Sequence, residues 1–558
     1  MLAKRVSGVS VLAVLLLTGC GGSNPVEATA QGGVTPTEPQ NLDRSCDLAP
    51  YPSAQWTACE ATNYARVLEA PGEEVANVPF VLRWTEQSVS NAASYIARDT
   101  ADPSWLIASS PPLSELIVSL GDAASIGTVI QNIIAGLQAN PASALSLSLN
   151  TPVTPLCATW SLQCSGDPYR YPGVPGPDGD SFYQQEATVT PVVFYDRNCA
   201  RLSGRVWLPS TASVATLPAV VFTNGSIEAP ETVYWWAAQA LVRAGYAVLT
   251  YDPRGQGRSD LEAPDLEQGS NLNPKVFWEG QVDAIDFFRS TPAKPYPYNA
   301  SCAGTYPTQT AAYNPIWQQL DPARLGIAGH SLGAIGVSVV QGYGAPGADP
   351  WPGKIDNSNP VKAAVALDSL ITPAGAGFAP TSDLPLPNAL ATALTQIGSF
   401  GYLPKFGPRA PSMSFNADYG LAPVLYVAPP PAEDHKQAFA VWQAAGVPAY
   451  VIGIQGTTHF DFSLLPTFPA TSWCPDTSTG ACTGGWGSPA ITAYLVAWFD
   501  RWLKLPGEPG YADADQRLVD DAGPQGAVKF SFRYYSARDY PDRSGKRQHC
   551  EDIRAGCS

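Results

Sequence analysis

Short apolar runs alternate with longer segments along the chain from about residue 182 onward. The short runs predict eight strands, at 187–195, 202–208, 217–223, 246–251, 325–329, 361–367, 411–416 and 448–454. Helices are predicted in the longer segments, at 230–244, 274–290, 332–342, 434–445 and 489–504. Strands that alternate with helices are typical of a parallel sheet with crossover connections. The pattern therefore predicts an α/β protein whose mainly parallel, eight-stranded sheet is flanked by helices.

The N-terminus has the organisation of an export signal. Two basic residues precede an apolar run from Val11 to Leu17, and a Thr-Gly pair then leads to Cys20. A basic segment, an apolar segment and a small-residue end together make a secretory signal. This end resembles the lipobox of bacterial lipoproteins, in which the Cys becomes the lipidated first residue. We therefore expect lipidation of Cys20 and export to the bacterial cell envelope, with an ordinary signal peptide and a secreted protein as the alternative.

The rest of the chain divides by composition. Residues 21–45 are polar and rich in Pro and Gly, which is typical of a flexible tether. Apolar residues recur at helical spacing from Ser114 to Leu149. The charged and aromatic tail contains one predicted strand, from Ala527 to Tyr535. The expected organisation is a signal peptide at 1–20, a tether at 21–45, a mostly helical accessory region at 46–180, the alternating α/β unit at 181–505 and a C-terminal extension at 506–558.

Composition and charge narrow the classes of function. The chain has 558 residues, of which 45% are apolar and 14% are charged, and this is typical of a globular protein with a large core. Its net charge of −16 disfavours nucleic acid and anionic membrane surfaces as partners. Since no other stretch reaches the roughly 18 apolar residues needed to span a bilayer, the expected membrane contact is the lipid anchor alone. The oligomeric state is left open.

Cysteine usage fits an oxidising compartment. If Cys20 carries lipid, ten of the eleven cysteines remain, an even number. Spacing favours the pairs Cys46–Cys59, Cys157–Cys164, Cys474–Cys482 and Cys550–Cys557, and the remaining Cys199 and Cys302 are free to pair across the fold. The sequence has no Cys-x-x-Cys spacing and only four His, so a metal site is not expected.

A Gly-x-Ser-x-Gly motif spans Gly329 to Gly333. It follows a predicted strand and precedes a predicted helix, and that context turns a common short motif into a specific one. A nucleophilic Ser needs a tight, strained turn that projects its hydroxyl, and flanking Gly residues avoid the clash between strand and helix. We therefore predict Ser331 as a nucleophile.

A second motif is the sequence Asp-Pro-Arg-Gly-Gln-Gly-Arg-Ser at 252–259, directly after the strand at 246–251. It resembles the D-x-R-G-x-G-x-S segment that follows the fourth strand of α/β-hydrolases. With the Ser331 motif, the resemblance implies an α/β-hydrolase fold, a Ser-Asp-His order of catalytic residues, and no metal or organic cofactor.

The end of the third predicted strand has the sequence Thr-Asn-Gly-Ser, where α/β-hydrolases carry a His-Gly or similar turn. By this resemblance the oxyanion hole is expected at the backbone N–H groups of Ser226, with its neighbour Ile227 as the alternative, and of Leu332, the residue after the nucleophile. The turn departs from the superfamily pattern in its first residue, which is Asn instead of His.

The predicted general base is His459, which follows the last strand at 448–454. His titrates near neutrality and is therefore suited to taking and returning a proton. Of the other three histidines, His330 lies beside the predicted nucleophile, His435 lies on a predicted helix and His549 lies in the tail. Only His459 has the position that the order Ser-Asp-His requires.

The acid that orients the base is ambiguous in the sequence. Asp368 ends the sixth predicted strand and Asp418 ends the seventh. Most α/β-hydrolases use the seventh position. However, the sequences around Asp368 and Asp418 resemble the platelet-activating-factor acetylhydrolases, in which the sixth-strand Asp is the acid. Asp368 is preferred on this resemblance, and Asp418 is kept as the alternative.

These residues predict an exported serine hydrolase that cleaves carboxylic esters of small molecules, lipids or polymers through an acyl-enzyme. The first alternative is a peptidase of the same fold that acts on amides. The second is a surface binding protein that keeps the fold without turnover. The accessory region at 46–180 has no assigned role.

Overall fold

The computed structural model describes residues 45–66, 185–210, 216–225, 231–256, 273–306, 312–373, 403–419, 426–463 and 487–557, with 259, 260, 262–265, 267, 269 and 310. Its strands are β1 Ala187–Tyr195, β2 Arg201–Pro209, β3 Leu217–Thr223, β4 Ala247–Tyr251, β5 Leu320–His330, β6 Val361–Leu367, β7 Ser412–Ala417, β8 Ala449–Ile454, β9 Ala537–Pro541 and β10 Arg547–Cys550. Its α-helices are α1 Ala54–Arg66, α2 Trp235–Arg243, α3 Lys275–Arg289, α4 Pro297–Ser301, α5 Leu332–Gly342, α6 Gln437–Ala444, α7 Ser488–Leu503 and α8 Ala514–Leu518. None of these helices combines the length and apolar character needed to cross a membrane.

All described strands join one sheet of ten strands, in the order β1-β2-β4-β3-β5-β6-β7-β8-β9-β10. The six central strands from β4 to β8 pair in parallel. Both edges pair antiparallel, through β1 and β2 on one side and β9 and β10 on the other. The α/β class is confirmed, and the predicted number of eight strands is wrong because the tail adds two strands at the β8 edge.

The strand predicted from Ala527 to Tyr535 is also wrong. A 3-10 turn occupies Ala527–Lys529, and the segment pairs with the sheet only through an isolated bridge between Phe530 and Ile454. The backbone N–H groups of Arg533 and Tyr534 donate to the Ser531 hydroxyl, at 3.1 Å and 3.2 Å, so they do not take part in a strand ladder. The tail enters the sheet only later, at β9.

Helices cover both faces of the sheet, so the central strands are buried on both sides, as parallel strands usually are. One apolar cluster packs α3, α5 and α6 against the sheet, and a second packs α2 and α7 against its other face. The predicted helices at 230–244 and 434–445 each begin with a 3-10 turn, at Glu231–Tyr234 and Asp434–Lys436. The remaining helix predictions agree with the structure to within one residue at each end.

Three of the five expected disulfides are present, between Cys46 and Cys59, Cys199 and Cys302, and Cys550 and Cys557. The other two expected pairs, Cys157–Cys164 and Cys474–Cys482, lie outside the described residues. Disulfides are compatible with an exported protein, because they persist in oxidising compartments.

A buried carboxyl on α3 predicts a pH dependence of stability. Asp286 is fully buried and accepts hydrogen bonds from the backbone N–H groups of Lys354 (2.5 Å) and Ile355 (3.2 Å). Burial nevertheless raises the pKa of Asp286 from 3.8 to about 7. Between these values the folded protein binds more protons than the unfolded chain, so this carboxyl makes stability fall as pH rises from about 4 to 7.

We expect Asp286→Asn to remove that slope, because the amide does not titrate. Thermal unfolding of wild type and variant at pH 5 and pH 8 measures it. The wild type should lose more stability between the two values than the variant, by up to a few kcal/mol at about 1.4 kcal/mol per pKa unit. An equal change in stability of wild type and variant between pH 5 and pH 8 would show that Asp286 has an ordinary pKa in the folded state.

Candidate active site

Ser331 lies at the junction where β5 turns into α5. Its backbone has φ of 57° and ψ of −122°, a region that residues with a side chain rarely adopt. The flanking glycines permit the turn: a Cβ on Gly329 would lie 2.5 Å from the carbonyl oxygen of Gly333, and a Cβ on Gly333 would lie 2.6 Å from that of Asn224. The local sequence therefore forms the strained strand-to-helix turn that the motif predicts.

The turn after β3 lies against Ser331. A Cβ on Gly225 would lie 2.9 Å from the Ser331 Cβ, so only Gly fits there. The side-chain amide of the preceding Asn224 donates to Asp252 Oδ1 at 3.0 Å, and this bond anchors the turn to the loop after β4. Leu332, the other expected oxyanion donor, begins α5. Ser226 lies outside the described residues.

His459 lies on a short 3-10 turn, His459–Phe462, that follows β8. Its Nδ1 is 2.6 Å from Asp368 Oδ2, and the side chain is buried. Asp461 holds this turn by accepting from the backbone N–H of Thr458 at 2.6 Å and from the Thr458 hydroxyl at 2.7 Å. The structure thus brings together the predicted base and the preferred acid.

Asp368 follows β6 with a positive φ of 49°. Its Oδ1 accepts from the backbone N–H of Ala417 at 3.0 Å, which leaves Oδ2 directed at His459. Burial by itself raises the pKa of Asp368, but the hydrogen bond and charge of His459 outweigh burial and lower the pKa below its usual value. Asp368 is therefore an ionised partner for the imidazole at neutral pH.

Asp418, the alternative acid, follows β7 and has other partners. Its side chain is fully buried and accepts hydrogen bonds from Asn63, Ser531 and the backbone of Gly456. It also forms an ion pair with Arg533 at 3.1 Å. The structure therefore pairs His459 with Asp368 and surrounds Asp418 with donors from three other segments.

Sequence reasoning assigned no role to His330, which the structure connects to both sides of the site. Its ring lies 4.5 Å from the His459 ring, centroid to centroid. His330 Nε2 is 2.8 Å from the carbonyl oxygen of His459, and Nδ1 is 2.7 Å from the hydroxyl of Tyr234. The Tyr234 hydroxyl also accepts from the backbone N–H of Gly225 at 3.1 Å. The only sequence signal was the adjacency of His330 to Ser331.

The partners of His330 determine its protonation. A carbonyl oxygen can only accept, so Nε2 carries the hydrogen, and Nδ1 accepts the proton of the Tyr234 hydroxyl. Burial, aided by nearby His459, lowers the pKa of His330 well below its usual value and keeps the ring neutral. Burial also raises the pKa of Tyr234, so the phenol stays protonated. One directional chain of bonds therefore runs from Gly225 through Tyr234 and His330 to the backbone of His459.

Tyr234→Phe tests this chain. Loss of the hydroxyl leaves the Gly225 N–H and the His330 Nδ1 without their bond, and each buried polar group left unpaired costs about 1–3 kcal/mol. We expect a lower melting temperature and a free energy of unfolding reduced by about 2–6 kcal/mol. Chemical denaturation of wild type and variant measures it. Equal stability would mean that another donor or water replaces the hydroxyl.

Within the described ranges, no group of three or more His, Cys, Asp or Glu side chains is arranged to hold a metal ion. The site as described contains a serine on a strained turn, a hydrogen-bonded pair of a buried His and a partly buried Asp, and a tight Gly turn against the serine. These are the groups of proton-assisted nucleophilic chemistry.

Two curated proteins from Aspergillus aculeatus are similar to part of this chain. One, named Hydrolase acrC, is 29% identical over 139 residues, which are 23% of this chain and 30% of that protein. The other, named Thiohydrolase aneE, is 32% identical over 108 residues, which are 19% of this chain and 31% of that protein. The chain thus spans less than a third of the length of either relative, and no protein-family model matches it. Both of these relatives are named as hydrolases.

Proposed function

We propose that this protein is a serine hydrolase of the α/β-hydrolase type that cleaves carboxylic esters through an acyl-enzyme. The observation that carries the proposal is the junction of β5 and α5, where Ser331 has φ of 57°, together with the 2.6 Å contact between His459 and Asp368. The central parallel strands and the order Ser-Asp-His along the chain support the fold assignment.

The proposed reaction has two steps. His459 takes the proton of the Ser331 hydroxyl while the oxygen attacks the ester carbonyl, and Asp368 stabilises the imidazolium that forms. The imidazolium returns this proton to the departing alcohol as the carbon–oxygen bond breaks. Water then loses a proton to His459 and attacks the acyl-enzyme. His459 returns this proton to the Ser331 oxygen as the carboxylic acid leaves, which restores the hydroxyl.

The developing oxyanion requires two backbone donors. Leu332 is well positioned for one of them, because it follows the nucleophile at the first position of α5. The N–H of Gly225 already donates to Tyr234, so the second donor falls to the next residue along the turn, which is Ser226. Each donor contributes about 3 kcal/mol to transition-state stabilisation in enzymes of this kind.

Thioesters are a second substrate class. One similar protein is named a thiohydrolase, and a thioester carbonyl is open to the same attack by a serine hydroxyl. Two alternatives remain: a peptidase that cleaves amides, and a binding protein without turnover.

We also propose that Cys20 is lipidated and that the protein acts at the bacterial cell envelope. The three disulfides are compatible with this location.

The test uses the purified protein without residues 1–20. Hydrolysis of p-nitrophenyl esters from acetate to palmitate is measured beside an acyl thioester and a peptide p-nitroanilide series. We expect ester turnover that a fluorophosphonate abolishes in a one-to-one reaction, and the preferred chain length gives the size of the acyl pocket. Turnover of amides alone would support the peptidase, and turnover of the thioester alone would support a thioester hydrolase. A protein that is neither labelled nor active would contradict the proposal that it is an enzyme.

A further inference from the structure

The buried carboxylate of Asp418 lies at a junction of four segments that meet behind the His459 loop. Its Oδ2 accepts from the Asn63 side-chain amide of α1 at 2.6 Å and from the backbone N–H of Gly456 at 2.9 Å. Its Oδ1 accepts from the Ser531 hydroxyl at 2.5 Å and pairs with Arg533 at 3.1 Å. A carboxylate has about four acceptor positions, and here all four are used.

The junction clamps the start of the loop that carries His459. Gly456 has a positive φ of 65° and lies three residues before His459. The next residue is held from the same side, because the carbonyl oxygen of Thr457 accepts from the backbone N–H groups of Asp418 at 3.1 Å and Tyr419 at 2.9 Å. The N–H of Gly456 and the carbonyl oxygen of Thr457 are therefore both bonded to the segment that follows β7.

Helix α1 is bound to this junction by charge as well as by Asn63. Glu60 forms an ion pair with Arg533, and both side chains are almost completely buried. The Glu60 carboxylate also accepts from the Tyr419 hydroxyl at 2.9 Å and from the backbone N–H of Tyr426 at 3.0 Å. Burial opposes the charge on Arg533, but Asp418, Tyr419 and Glu60 raise its pKa above the usual value, so the guanidinium stays charged.

Packing and a disulfide hold α1 in place. The Trp56 side chain packs against Tyr419 and Tyr426 in a small apolar cluster. The Cys46–Cys59 disulfide ties the helix to the segment before it, and an ion pair between Asp47 and Arg554 ties that segment to the C-terminal extension. Asn63 therefore approaches Asp418 from a support that is fixed at several points.

We propose that α1 is part of the catalytic support, with Asn63 and Asp418 acting as positioning residues for the general base. The inference rests on the proposed function, since it assigns His459 as that base. Displacement of a catalytic group by about 1 Å costs up to 100-fold in rate. A buried junction that fixes Gly456 and Thr457 therefore controls kcat without touching substrate.

The test compares Asn63→Asp and Asn63→Ala with Thr62→Ala, a matched control one position earlier on the exposed side of α1. Asn63→Asp sets a second carboxylate against Asp418 and repels it, and Asn63→Ala removes one donor. We measure kcat and KM on the preferred p-nitrophenyl ester and the rate of fluorophosphonate inactivation, at a temperature well below every melting point. The final stoichiometry of labelling counts the folded sites.

We expect kcat per labelled site to fall about 10- to 100-fold in Asn63→Asp and by a smaller factor in Asn63→Ala, with KM within twofold of wild type. The inactivation rate should fall in parallel, because it depends on activation of the nucleophile and not on substrate binding. If Asn63→Asp does not fold, Asn63→Ala decides alone.

A purely structural role for α1 would lower the melting temperature and leave both rates per folded site equal to those of Thr62→Ala, and that result overturns the inference. It differs from failure of the proposed function, in which the wild type itself would show neither ester turnover nor labelling.

Discussion

Replacement of Ser331 with alanine is expected to lower kcat for ester hydrolysis by about a million-fold, to the level that binding and the oxyanion hole supply without a nucleophile. The variant should neither bind a fluorophosphonate covalently nor release a burst of p-nitrophenol. Its melting temperature should be unchanged or higher. Alanine is close to serine in volume, and replacement of a catalytic residue often raises stability because active sites are maintained at a cost in stability.

The control for Ser331→Ala lies on the same helix. Ser338 is buried in α5, and its hydroxyl donates to the carbonyl oxygen of Ala334 at 2.9 Å and accepts from the backbone N–H of Ile371 at 3.0 Å. Ser338→Ala should therefore lose stability and keep one-to-one labelling. Residual turnover above 1% of wild type in Ser331→Ala would point to another nucleophile and reject the proposed mechanism.

The second large effect is expected at Asp368. Asp368→Asn should lower kcat by about 10⁴-fold, because an amide neither fixes the required imidazole tautomer nor stabilises the imidazolium. Asp418→Asn should lower kcat per labelled site far less. It should instead reduce the free energy of unfolding by about 3 kcal/mol, because a buried ion pair and a charged hydrogen-bond acceptor are lost.

The pH dependence of stability provides an independent test of the lowered pKa of Asp368. Its pKa is lowered in the folded state, so the charged carboxylate stabilises the fold above its unfolded pKa of about 4, and this contribution disappears as pH falls through the lower, folded value. Wild type should therefore be more stable than Asp368→Asn at pH 7, and the difference should shrink below about pH 4. A larger kcat loss in Asp418→Asn than in Asp368→Asn would reverse the assignment of the two acids.

Local patterns in the sequence predicted the features that depend on local forces. The turn at Ser331 was readable because Gly329 must be glycine for the nearby backbone of Gly333 to fit, a constraint that acts over five residues. Most strands and helices were readable because apolar periodicity records which side of each element is buried. The contacts of Asp286 with residues 354 and 355 and of Tyr234 with His330 have no local sequence pattern, since the partners lie far apart in the chain.

The choice between Asp368 and Asp418 shows where this kind of information ends. Both carboxylates follow adjacent parallel strands, so sequence position leaves them equivalent apart from a family resemblance. The structure separates them through contacts that no local pattern encodes, above all Asn63, which lies 355 residues from Asp418 in sequence. The same reason explains β9 and β10, because an edge strand is determined by the partner it finds and not by its own periodicity alone. The sequence by itself determined the fold class, the serine turn and the candidate base. Only the tertiary structure decided which acid meets that base and what holds its loop, because those contacts form between segments that folding brings together.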